Sequence, residues 1–144
     1  MEAQSVAFES MSPSEQHPSR AEVDRFILES VDSVPHLEAL LLLWQNRSEG
    51  WAVDDVAKRL WIERERTRSI LLDLTQSQFL TTISGELDRF KYRSNPNNDS
   101  ILRAVADVYR QDMIRISTMI HAKPSSAVRA FAQAFRFKKD KEQE

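Results

Sequence analysis

The sequence contains no cysteine and only two glycines in 144 residues. The first absence excludes a disulfide framework, a thiolate metal site and a cysteine nucleophile. The second excludes the glycine-rich phosphate loops, which need several glycines close together, whereas Gly50 and Gly85 stand apart. Histidine is scarce as well: His17, His36 and His121 lie in separate segments without ligand spacing, so no metal site is expected. There is no nucleophile elbow, and carboxylates such as Asp54 and Asp55 are adjacent in the chain instead of facing one another. Neither an enzyme nor a cofactor is expected. The longest strongly apolar run, 37–44, falls far short of the roughly 20 residues that a bilayer-spanning helix needs. The chain opens on acidic residues ahead of any apolar segment, which argues against a secretory signal and makes a cytoplasmic location the expectation.

The chain also lacks a strong charge of either sign, with a formal net charge of −2. That balance is uneven. Residues 1–32 carry two basic and seven acidic side chains, residues 33–95 nine of each, and residues 96–144 nine basic and six acidic. The acidity therefore belongs to the N-terminal part, and the central part is neutral. A neutral module is weak equipment for nucleic acid, because phosphate neutralisation by Lys and Arg supplies most non-specific affinity.

What is present is apolar periodicity. Residues 1–19 are rich in serine with Pro13 and Pro18 and have none, so a disordered arm is expected there. Val23, Phe26, Ile27 and Val31 mark a short helix over 21–31. Ser33 ahead of Pro35 starts a second, in which Leu37, Leu40, Leu41 and Trp44, widened by Leu42 and Leu43, predict a central helix covered on most sides. After a break ending at Gly50, residues 51–53 suit a brief strand, with Asp54 as the cap of the next helix. Residues 94–100 form a breaker cluster. Beyond it, with Asp99 or Ser100 as cap, apolar residues recur at helical spacing to Ile120, although Asp112 interrupts a strict heptad. Pro124 stops that helix, and Val128, Phe131, Ala134 and Phe135 form the stripe of a last one.

The most informative stretch is 53–80. Val56, Ala57 and Leu60 share one face of a short helix, Thr67, Ile70, Leu71 and Leu74 share one face of a second, and Trp61 and Ile62 leave room only for a tight turn. A helix-turn-helix is expected, covered by the helix before it. Residues 79–83 and 89–93 flank a loop bearing Gly85 and read as a β-hairpin that acts as a wing. The fold class is therefore mainly α with a small β-hairpin. Its parts are an arm (1–19), an N-terminal helix plus winged helix-turn-helix (20–95) and C-terminal helices that dimerise or cap the core (96–144).

Residues of the second helix that do not face the core are candidates to meet base edges in the major groove. These are Arg64, Arg66, Arg68 and Ser69, with Glu65 among them. The other reading is a solvated helix start stitched by local ion pairs worth a few tenths of a kcal/mol each. Glu63 and Glu65 would oppose nearby phosphates in either case. Arg89, Lys91 and Arg93 alternate along the second wing strand and should share a face, either as a phosphate-contacting row or as an ordinary solvent face, with Phe90 and Tyr92 inward. Val105, Tyr109, Ile116, Phe131 and Phe135 are the candidates for a dimer interface, and packing onto the chain's own core is the alternative.

On the helix pair VDDVAKRLWIERERTRSILLDL, the segment TQSQFL and the hairpin TTISGELDRFKYRS, residues 33–94 resemble the winged helix-turn-helix superfamily of small bacterial regulators, broadly MarR-like and PadR-like. The resemblance implies a recognition helix near 63–77, a wing near 79–94 and sequence-specific binding to double-stranded DNA as a homodimer. Many members carry Gly in the turn between the helices and ahead of the wing, where this chain has Trp61 and Gln78. Winged helices also serve as protein-binding modules, so a protein partner without sequence-specific DNA binding is the alternative function.

Overall fold

A computed structural model of the protein describes residues 17–85, 88–124 and 134. Most of the expected arm, and Phe131 and Phe135 of the expected last helix, lie outside the described residues.

The first helix, α1 (Arg20–Ser30), is capped by Ser19, whose side chain accepts the Glu22 N–H. The second, α2 (Val34–Gln45), is capped by Ser33 with a proline in its first turn. Its leucine run does what an apolar surface on most sides requires: Leu37, Ala39, Leu40 and Leu43 are fully buried, and Leu41, Leu42 and Trp44 nearly so. Every later layer packs on it, namely the helix pair α3 (Val53–Leu60) and α4 (Arg64–Gln76), the sheet, and α5 (Pro96–Gln111) with α6 (Met113–His121). The sheet has three antiparallel strands in the order β1 (Trp51–Ala52), β3 (Arg89–Tyr92), β2 (Leu80–Ile83). Pairing of Thr82 with Phe90 and Leu80 with Tyr92 fixes the hairpin register. Phe90 and Tyr92 turn into the core, and the Tyr92 hydroxyl donates to Asp99 Oδ1 at 2.6 Å, which fastens the wing to α5. Burial, then the Asp99 partner, push that phenol far above its ordinary range. No helix among the described residues is long and apolar enough to cross a membrane.

Two turns rest on left-handed backbone at non-glycine residues. Trp61 ends α3 at φ 57°, and the Ile62 N–H closes on the Ala57 carbonyl at 3.1 Å. Gln78 follows α4 at φ 70°, with its own N–H on Thr75 O and the Phe79 N–H on Leu74 O, each at 3.0 Å. The second pair of bonds is a Schellman closure, and it delivers Phe79 edge-on against Phe26 of α1, with ring centroids 5.7 Å apart. These are the two positions at which glycine is customary and missing.

The structure corrects three local expectations. Asp54 is not the cap of α3: Ala52 holds that place without a side-chain bond, and Asp54 lies in the first turn. Residues 96–100 are not part of a breaker, because Asn95 caps α5 by accepting from the N–H groups of Asn97 and Asn98, and Pro96 occupies the first helical position. The helix expected to run to Ile120 is two helices, divided at Asp112 with φ −129° and ψ 44°. There the Asp112 N–H ends α5 on Val108 O while its carbonyl starts α6 by accepting from Ile116.

The break serves an ion-pair network that holds α1 to the α5–α6 corner. Asp112 pairs with Arg20 and lies 3.5 Å from Arg115, which donates to Asp24 at 3.0 Å. The hydrogen bond from Arg20 is the largest influence on the Asp112 carboxyl; desolvation opposes it, and the charges of Arg20 and Arg115 add to it, so the carboxyl is held below its usual range. A depressed carboxylate contributes stability above its unfolded titration, near pH 4, and loses it as pH falls through the folded value. Asp112→Asn should therefore lower the thermal midpoint near pH 7 and narrow the difference from wild type as the pH drops below about 4. Thermal melts across that range check it, and a constant difference would contradict the pairing. Gln78 is exposed, so Gln78→Gly removes no packing and should raise stability by about 1 kcal/mol through relief of the left-handed backbone. Urea unfolding measures this, and a loss of stability would contradict the closure described above.

Candidate nucleic-acid interface

The surface of interest is built by burial. On α4, Thr67, Ile70, Leu71 and Leu74 are buried against the core, and the Thr67 hydroxyl donates to the Glu63 carbonyl at 2.8 Å, sealing the first turn. A helix fixed by that face must turn Arg64, Glu65, Arg66, Arg68 and Ser69 to solvent, and all five are exposed. The start of α4 is open: its capping residue is Glu63, which makes no side-chain cap bond. Leu72 also stands on the surface at 47% exposure.

The wing strand β3 places Arg89 and Lys91 opposite Ile83 and Thr81 on the face away from the core. Arg89 and Arg93 are exposed and Lys91 is half-buried. Arg89 is also held: its guanidinium donates to the Gly50 carbonyl at 3.2 Å, across the sheet from β3 to the residue before β1. It closes one end of a groove of about 440 Å³ that Lys58, Arg59, Glu49 and Asp55 also line. Cations and carboxylates thus alternate around the base of the wing.

Several features of this surface are not legible as site residues from the sequence. Arg64 donates through Nε to Asp54 Oδ1 at 2.6 Å, joining the two helices on their outer side. Asp54, Ala57 and Lys58 of α3, with Trp61 just past its end, combine with Ile62 and Arg64 to line an open groove of about 600 Å³. Trp61 stands 94% exposed beside it. Its signal in the sequence is a large aromatic in a turn where glycine is customary. His36 is a tether: its Nδ1 lies 2.6 Å from Ser33 Oγ and its Nε2 2.9 Å from Asp73 Oδ2, which ties the start of α2 to α4.

The C-terminal helices turn inward. Val105 and Ile116, expected at a dimer interface, are fully buried in the chain's own core, because α5 and α6 fold back onto α1 and α2. Tyr109 is half-buried in a groove of about 350 Å³ between α2, α3 and α5, close to Glu38. Burial, then the Glu38 charge, raise its phenol. At the start of α6, Met113 and Ile114 are 52% and 83% exposed.

No protein-family model matches the sequence, and no curated protein matches it. Solved structures do. MepR, a transcription regulator of the Staphylococcus aureus multidrug efflux pump MepA, superposes with a TM-score of 0.51 at 12% identity, over 97% of this chain and 98% of that one. A mutant of MepR bound to an oligodeoxyribonucleotide gives a TM-score of 0.51 at 12% identity, over 98% of each chain. The MepR–DNA complex gives 0.51 at 10% identity, over 81% of this chain and 86% of that one. Identity this low speaks for the fold alone, and the helix pair, three-stranded sheet and flanking helices described above agree with it. The chain has the winged helix-turn-helix fold found in these regulators.

Proposed function

We propose that the protein is a DNA-binding transcriptional regulator that acts as a homodimer, reading the major groove with α4 and contacting the phosphate backbone with the wing. The observation that carries this reading is the orientation of α4: its apolar face is committed to the core, and its first turns present Arg64, Arg66, Arg68 and Ser69 to solvent. Arg side chains at the start of such a helix have the reach and the donor geometry to grip guanine. The outward row of Arg89, Lys91 and Arg93 supplies about three phosphate contacts per protomer. MepR, with the same fold, is a regulator and has been crystallised on DNA.

Charge decides how strong one module is. Glu63 and Glu65 offset the arginines, and the central module is neutral, so a single copy has modest attraction for a polyanion. Doubling the contacts in a symmetric dimer compensates for that deficit, and two reading helices then address half-sites about one turn of DNA apart. Tyr109, Phe131 and Phe135 are kept as candidates for the dimer contact, and the exposed Met113 and Ile114 are further apolar surface available to it. The same acidic offsets are what favour the second reading, a winged helix that binds another protein.

Titration of random duplex DNA at increasing salt separates the two. The regulator reading expects log-linear weakening with salt, and undetectable binding at low salt would sink it. Joint replacement of Arg64, Arg66 and Arg68 by Ala should abolish sequence preference; an unchanged preference would show that α4 is not the reading helix. Joint replacement of Arg89, Lys91 and Arg93 should instead weaken all sequences alike and reduce the salt slope by about three per protomer.

A further inference from the structure

Among the described residues Arg64 is the one α4 arginine with a side-chain hydrogen-bond partner, and the atoms used matter. Asp54 takes the Nε–H at 2.6 Å. A guanidinium has five donors in a rigid plane, so a bond at Nε fixes the plane and leaves the Nη groups to make the paired contact that guanine O6 and N7 require. Asp54 sits in the first turn of α3, where the helix N-terminus favours a carboxylate. Both partners are about 60% exposed, so the pair lies on the open surface, on the wall of the groove that Lys58 and Trp61 also line. An exposed ion pair of this kind contributes little to folding. Its consequence falls on the conformation of a long side chain that otherwise samples many rotamers.

We propose that Asp54 is a positioning residue for Arg64: it holds the guanidinium plane so that the free Nη edge specifies a guanine in the bound duplex. The inference rests on the DNA-binding reading and refines it. Arg66 and Arg68 have no such buttress among the described residues, so base discrimination is concentrated at the position that Arg64 reads. Asp54 touches no base and acts only through Arg64.

The test compares Asp54→Ala with Asp54→Asn. Both remove the same negative charge, and both therefore strengthen non-specific attraction to phosphate equally. Only Asn keeps an oxygen that accepts from Nε. Selection of bound duplexes from a random pool by the wild-type protein defines the preferred guanine, and binding to duplexes changed at that base reads the discrimination. Asp54→Ala should reduce discrimination roughly tenfold at that base and leave other positions unchanged, while Asp54→Asn keeps most of it. In the Arg64→Ala background, Asp54→Ala should have no further effect on discrimination. Equal behaviour of the Ala and Asn variants, or discrimination that survives in Asp54→Ala, overturns the proposal while the regulator reading stands. Failure of the wild-type protein to bind any duplex removes both. Thermal melts of the two Asp54 variants within a few degrees of wild type identify the change as one of positioning, and a collapse of Asp54→Ala alone would assign the carboxylate a structural role instead.

Discussion

The architecture depends on the burial of α2. A helix with five leucines between positions 37 and 43 and a tryptophan at 44 has no face suited to water. Each fully buried leucine contributes about 2 kcal/mol of transfer free energy, so this one helix supplies on the order of the whole net stability of a domain. The helix pair α3–α4 takes one side of α2, strand β3 another and α5–α6 a third, while α1 packs on α5 and α6. The exposed arginines of α4 face outward because Thr67, Ile70, Leu71 and Leu74 face α2.

Against that rigid centre, the outer surface carries signs of a different constraint. Trp61 takes left-handed backbone and exposes nearly its whole side chain, and neither feature adds to stability. Arg64 and Asp54 form an exposed pair whose folding value is small. Cations and carboxylates interleave from the base of the wing to the start of α4. A surface so arranged has limited general attraction for phosphate and depends on where individual guanidinium groups point. In the proposed function such a surface favours selectivity over raw affinity, and the proposed pairing of two copies would supply the attraction that one lacks.

Much of this was legible in the sequence, and the reasons can be stated residue by residue. The helix pair was visible because Val56, Ala57, Leu71 and Leu74 keep the 3.6-residue period that burial imposes. The wing was visible because Phe90 and Tyr92 alternate with Arg89 and Lys91. The division of the C-terminal helix at Asp112 was hidden, since its apolar period continues across the break and only the partners Arg20 and Arg115, the former distant in sequence, account for the bend. The start of α5 was missed for the opposite reason: asparagine and proline at 95–98 look like loop, yet Asn95 and Pro96 are favoured residues for capping and for the first helical position. The Asp54–Arg64 pair joins residues ten apart through a turn, a contact that no periodicity encodes. The burial of Val105 and Ile116 in the chain's own core was equally out of reach, because an apolar stripe does not say whether its cover is intramolecular.

The proposed nucleic-acid surface joins the outward side of α4 to the outer face of the wing. The most direct measurement is a map of backbone amide chemical shifts of the full chain as random-sequence duplex DNA is added at low salt. Perturbations should concentrate at residues 63–69 and 89–93 and fade as salt is raised. Perturbations confined to α5 and α6, or none at all, would contradict the proposal.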